Sequence, residues 1–110
     1  MKLAVVFLNR IEYLEDLLSA FLEIGVSGAT VLDSIGMGRI ITQNIPIFAG
    51  LRETFAGSSP NNKTILAVVE DDLIEKISEV MDDILENLED PGSGFLISLP
   101  IDKVFGFRKD

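Results

Sequence analysis

Apolar positions along the chain fall into short runs and helical stripes, and the two spacings predict different elements. Leu3 to Leu8 is an unbroken apolar run closed by Asn9 and Arg10. A run of that length before polar punctuation predicts a buried strand. Over residues 12–24 the spacing changes. Leu14, Leu17, Leu18, Phe21 and Leu22 stand at i, i+3, i+4, i+7 and i+8, one stripe of an amphipathic helix. Gly25 follows where a helix C-cap glycine is expected. Residues 29–35 (Ala-Thr-Val-Leu-Asp-Ser-Ile) are rich in β-branched side chains and predict a second strand. Gly36-Met37-Gly38 interrupts it, and residues 39–63 show no clean period.

A third strand is predicted over 64–69. A second helix follows from Asp71 or Asp72, with Leu73, Ile74, Ile77, Val80, Met81, Ile84, Leu85 and Leu88 as its apolar stripe. Asp90-Pro91-Gly92-Ser93-Gly94 reads as a tight loop. Residues 95–99 predict a fourth strand stopped by Pro100, and 101–107 a short fifth extended piece. The order is strand, helix, strand, long connection, strand, helix, strand. Each helix lies between strands it can join by a right-handed crossover. The expected fold is therefore α+β: a ferredoxin-like βαββαβ sandwich with an antiparallel sheet and a long loop between strands 2 and 3, forming one domain over 1–110. Both helices would cover one sheet face. The other would expose apolar side chains, which predicts self-association.

Composition narrows the chemistry. The 110 residues contain no Cys and no His. Ser-His-Asp and Cys-His catalysis and the usual zinc sites are thereby excluded, and no enzymatic role is expected. The formal charge of −9 argues against nucleic-acid phosphates as partners. Ten acidic residues and one lysine lie between Glu70 and Asp90. They read as a hydrated helix face rather than a metal site. No apolar stretch reaches the roughly 18 residues of a membrane span. The apolar start is followed at once by Arg10, Glu12, Glu15 and Asp16, which fits a strand better than a signal peptide. A cytoplasmic protein is expected.

Three segments carry a resemblance to a known family. They are Leu22-Glu23-Ile24-Gly25-Val26-Ser27-Gly28-Ala29-Thr30-Val31 with Gly36-Met37-Gly38-Arg39, then Asp71-Asp72-Leu73-Ile74-Glu75-Lys76-Ile77, then Gly92-Ser93-Gly94 through Leu99-Pro100-Ile101-Asp102. In this order they resemble the PII nitrogen-regulatory signalling proteins over nearly the whole chain. The resemblance implies a homotrimer with sheets facing inward and nucleotide pockets in the clefts between subunits. ATP, ADP or AMP would be a ligand there, with no cofactor required. It places nucleotide contacts on Thr30, Gly36, Met37, Gly38 and Arg39, and on Gly92, Ser93, Gly94, Phe95 and Arg108. It also implies that the long loop meets a target protein, here through Ile47, Phe48, Leu51, Arg52 and Phe55, and that a membrane is met only indirectly through that target protein. Residues 48, 51 and 55 have helical spacing. Physical chemistry agrees in part. Successive N–H groups of a Gly-Ser-Gly turn can cradle an anion, and Arg39 and Arg108 are suited to phosphate.

The chain departs from the family's pattern at several of these positions. Phe95 stands where the family has a lysine after the glycine loop, and Gly106 where it has the first of two tail arginines. Ile40 and Ile41 replace a glutamine and a lysine that serve metal and 2-oxoglutarate, and Phe48 replaces a modifiable tyrosine. A charge-assisted contact to phosphate contributes about 1.5–3 kcal/mol, so the lost cations weaken the case for a triphosphate. AMP, ADP or another small anion is as well matched as ATP, and 2-oxoglutarate sensing is not expected. The alternative is a trimeric structural or adaptor protein that has lost nucleotide binding.

Overall fold

Alternation along the first strand sets the two sides of the sheet. The computed structural model describes residues 1–44, 61–85 and 92–107. Strand β1 spans Lys2–Leu8. Ala4, Val6 and Leu8 point to one side and are buried, while Leu3, Val5 and Phe7 point to the other. A 3-10 turn at Ile11–Tyr13 leads into α1, Leu14–Ile24. Strand β2 (Thr30–Ser34) follows, then α2 (Met37–Asn44), β3 (Asn62–Val69), α3 (Leu73–Leu85) and β4 (Gly94–Pro100). The four strands form one sheet in the order β2-β3-β1-β4, and every neighbouring pair is antiparallel. A small α+β protein with a four-stranded antiparallel sheet and two packed helices results, compatible with a ferredoxin-like fold.

The core lies between the sheet and α1 with α3. Ile65, Ala67 and Val69 of β3 join Ala4, Val6 and Leu8 on the sheet side. Leu17 and Phe21 of α1 meet Ile77, Met81 and Leu85 of α3 across it. The helix residues recur every fourth position, as a single buried stripe requires. Helix α1 ends as its sequence predicts. Gly25 takes φ 105°, its N–H donates to Leu22 O, and the Val26 N–H donates to Phe21 O at 2.9 Å. This pair of bonds is a Schellman closure, with Val26 buried beside Phe21 as its apolar contact.

Three predicted elements differ in detail. The first helix begins as a 3-10 turn, with Tyr13 N–H donating to Arg10 O at 3.1 Å, and becomes α-helical only at Leu14. Met37 and Gly38 of the glycine interruption and the start of the segment read as aperiodic from residue 39 form α2. Gly38 and the β-branched Ile40, Ile41 and Thr42 are poor helix formers, and eight residues are too few for a stripe to repeat. Residues 101–107 are not a strand. Ile101 N–H donates to Met1 O, after which the tail leaves the sheet. Asp71 does not stand alone before α3. Its carboxylate pairs with the Met1 amino group at 3.0 Å, and that hydrogen bond holds it below the usual carboxylate range.

Among the described residues, no helix covers the second sheet face, which is apolar. Phe95, Ile97, Leu99 and Leu32 are 53%, 42%, 43% and 46% exposed there. Phe7 and Phe95 stack across the β1–β4 pair with centroids 4.9 Å apart. Contiguous exposed apolar patches on soluble proteins mark interaction sites.

Gly94 is the backbone position the sheet cannot do without. It opens β4 opposite Leu8 with φ 151°, and a Cβ there would lie 2.4 Å from Phe7 O. Gly94→Ala is expected to cost about 2–4 kcal/mol. Gly25→Ala, where a Cβ meets nothing within 4 Å, should cost only about 1 kcal/mol from its left-handed backbone. Urea denaturation of the two variants measures the difference, and equal losses would contradict the close contact.

Candidate functional site

Antiparallel pairing brings four chain segments to one end of the sheet. Leu8 of β1 stands opposite both Gly94 of β4 and Lys63 of β3, and Ser34 of β2 opposite Asn62. The residues just beyond these strand ends therefore gather there. Two of the segments singled out in the sequence, Gly36-Met37-Gly38 and Gly92-Ser93-Gly94, are among them.

The Gly92–Gly94 turn is fastened to β1. Asn9 and Arg10 donate their backbone N–H groups to Ser93 O at 3.0 and 3.4 Å. Ser93 is fully buried, Gly94 is buried and Gly92 half-buried. Asn9 then reaches the β3 side, where its Oδ1 accepts from Asn62 Nδ2 at 3.3 Å. The Ser34 hydroxyl lies against Asn62 Oδ1 and stands 3.2 Å from Asn62 O. Thr64, buried in the sheet, can donate to Ser34 Oγ at 2.9 Å. A continuous polar chain Ser93–Asn9–Asn62–Ser34–Thr64 thus joins all four strand ends. Beside it, on the helix side, Lys63 and Asp33 form an ion pair. Ile11, Asp33, Ser34, Ile35, Asn61 and Lys63 line a groove at this corner.

Gly36 starts the turn into α2, and its O accepts from Ile40 N–H at 3.4 Å. A Cβ at Gly36 would meet Asn62 Nδ2 at an ordinary 3.7 Å, so the space around it does not demand glycine. Met37 is 69% exposed. Arg39 lies in α2, two residues after Met37, but its side chain is outside the described residues.

The remaining predicted contacts lie elsewhere. Thr30 is opposite Leu66, four residues along β2 from Ser34 and about 13 Å away at the rise of a strand. It lines a second groove with Leu3, Ser27, Gly28, Leu66, Val68 and Phe107. Among the described residues, no charged side chain lines that groove. Phe95 points onto the helix-free face against Phe7. Gly106 takes φ 79°, a backbone that an arginine would adopt only with strain. Arg108 and the loop residues Ile47, Phe48, Leu51, Arg52 and Phe55 lie outside the described residues.

One chain therefore brings Gly36, Met37 and Gly38 to the same sheet end as Gly92, Ser93 and Gly94, and leaves Thr30 at a separate groove. Asn9, Arg10 and Asn62 belong to the first cluster and were not among the predicted site residues. Their signal was thin: each is a polar residue next to a strand terminus, and only the sheet register shows that they meet. Among the described residues, no three His, Asp or Glu side chains converge as metal ligands. No described helix is long and apolar enough to cross a membrane. Comparison of the sequence with family models and with curated proteins finds no match.

Asn62 is the joint of the polar chain. Asn62→Ala removes the side-chain bonds to Asn9 and Ser34 together, leaving the Ser34 hydroxyl the Asn62 backbone carbonyl and the Thr64 hydroxyl as partners, and should lower stability by about 1–3 kcal/mol. The amide resonances of Asn9, Ser34 and Ser93 should shift in the same spectrum. An unchanged denaturation midpoint with unchanged Asn9 and Ser93 resonances would refute the linkage.

Proposed function

We propose that this chain is a PII-like regulatory protein of ferredoxin-like βαββαβ fold, in which α2 belongs to the long connection between β2 and β3. It acts as a homotrimer with the helix-free faces turned inward. It binds an adenine nucleotide or a similar small anion in the clefts between subunits, and controls a target protein through the connection between β2 and β3. It is a binding and signalling protein rather than an enzyme.

The observation that carries this reading is the bare apolar face made by Phe95, Ile97, Leu99 and Leu32. The opposite layer is acidic: Glu12, Glu15, Asp16 and Glu23 lie on or before α1, and Glu75, Glu79, Asp82 and Asp83 on α3. Copies that approach by their helices meet like charge, whereas copies that approach by the sheet do not. The division of the expected ligand contacts fits the same arrangement. The glycine segments at one sheet end and Thr30 at a separate groove serve one ligand only if different subunits supply them.

A specific observation favours a second reading. The family's phosphate-loop lysine is here Phe95, which contributes to the apolar face. Gly94 is explained by its contact with Phe7 O, without any ligand. A trimeric adaptor that keeps the assembly and has lost the nucleotide is the alternative.

Light scattering and a thermal-shift panel separate these readings. The regulator predicts a trimer whose unfolding midpoint rises with millimolar ATP, ADP or AMP. A ligand at 100 times its Kd adds about 2.7 kcal/mol to the folded state, a shift of several degrees in a domain of this size. A trimer unmoved by all three nucleotides identifies the adaptor. A monomer at working concentration ends both.

A further inference from the structure

After β4 the chain turns back over its own sheet. Pro100 of β4 stands opposite Lys2 of β1, and Lys2 opposite Val69 of β3, so these strands share one end. Ile101 N–H donates to Met1 O at 3.2 Å, after which residues 102–107 make no further backbone hydrogen bond among the described residues. Val104 and Phe105 then stand in water, 42% and 88% exposed. Phe107, 37% exposed, returns to the sheet end and lines two neighbouring grooves. One runs between Met1, Gly25 and Leu73, the other over Leu3, Leu66 and Thr30. Ser27 and Val68 are the other residues common to both, so the phenyl ring stands on the divide between them. Gly106, at φ 79°, supplies the bend that separates the outward Phe105 from the returning Phe107.

The second of these grooves lies on the helix-free face. Leu3 pairs with Val68, and Leu66 with both Val5 and Thr30, so its floor belongs to β1, β3 and the start of β2. The returning segment has slack. From β4 to β3 is two strand spacings, about 10 Å, whereas six residues reach about 20 Å when extended. It can lift without pulling on β4, and a segment with so few buried apolar contacts opens at low cost.

We infer that residues 101–107 are a strap, latched by Phe107, that opens and closes the groove over Leu66 and Val68. Seated, the ring walls this groove off from the one beside Met1. Lifted, it uncovers Leu3, Leu66 and Val68 and joins the two grooves into one larger cleft. The latch is an uncharged ring on an uncharged lining, so a flat apolar ligand competes for the same surface. Filling the groove and releasing the tail are then one event, because such a ligand favours the lifted state. The strap belongs to a single copy and stands whether or not copies associate or a nucleotide binds, so it goes beyond the reading proposed above.

The chain has no tryptophan, so one placed at residue 107 reports on the latch alone. Phe107→Trp should emit toward the blue and be quenched by acrylamide several-fold less than Phe105→Trp. Adding Val68→Ser should loosen the seat and raise the quenching of the Phe107→Trp variant about two-fold. Toluene, a flat uncharged ring, should raise it as well. Followed by the amide resonances of Leu66 and Val68, toluene should also bind several-fold more tightly to Phe107→Ala than to the unsubstituted chain. Equal quenching at 105 and 107 overturns the strap. Toluene that leaves the tryptophan at 107 as shielded as before overturns the gate, and so does equal toluene affinity with and without the Phe107 ring. If Phe107→Ala does not fold, the quenching of Phe107→Trp decides alone. Light scattering and the nucleotide panel read the trimer and its ligand separately, so failure of the strap leaves that reading untouched.

Discussion

A sheet apolar on both faces, with helices enough for one, is the constraint from which the rest follows. The period of two along β1 sends Ala4, Val6 and Leu8 into the core and Leu3, Val5 and Phe7 out of it. Neither set is polar. The core side is closed by Leu17, Phe21, Ile77, Met81 and Leu85. The other side continues over β4 and β2 as Phe95, Ile97, Leu99 and Leu32. Charge is distributed to suit: among the described residues, most acids stand on or beside the helices and Asp33 on a strand.

Much of this architecture was legible before any coordinates. The unbroken run in β1, the four-residue recurrence in α1 and α3, the glycine after α1 and the proline at the end of β4 are strong local signals, and each has a direct physical cause. Helix α2 was not legible, because β-branched residues and a glycine within eight positions give no helical signature. The 3-10 entry into α1 is likewise invisible to periodicity, since a single tight turn precedes the stripe rather than interrupting it. The apolar second face could be foreseen by counting layers. Its continuity across four strands needed the register.

The candidate site was legible only in pieces. Gly92-Ser93-Gly94 and Gly36-Met37-Gly38 stand out as glycine punctuation, and the fold brings both to one end of the sheet. What joins them is a set of ordinary amides and hydroxyls, Asn9, Asn62, Ser34 and Thr64, drawn from three strands far apart in the chain. No short-range pattern announces such a group, because its members become neighbours only through strand pairing. Phe95 and Gly106 teach the complementary lesson. As letters they are departures from the pattern of the family the sequence resembles, which has cations there. In space one is a member of an apolar face, and the other a bend in the backbone.

The seating of the Gly92–Gly94 turn has a further consequence. Its carbonyl is held by two amides of the β1 exit, its serine is sealed from water, and its second glycine presses on a neighbouring peptide. Such a turn has little conformational freedom left to surrender. Anything that settles against it meets a preorganised wall, and discrimination there comes from shape rather than from adaptation.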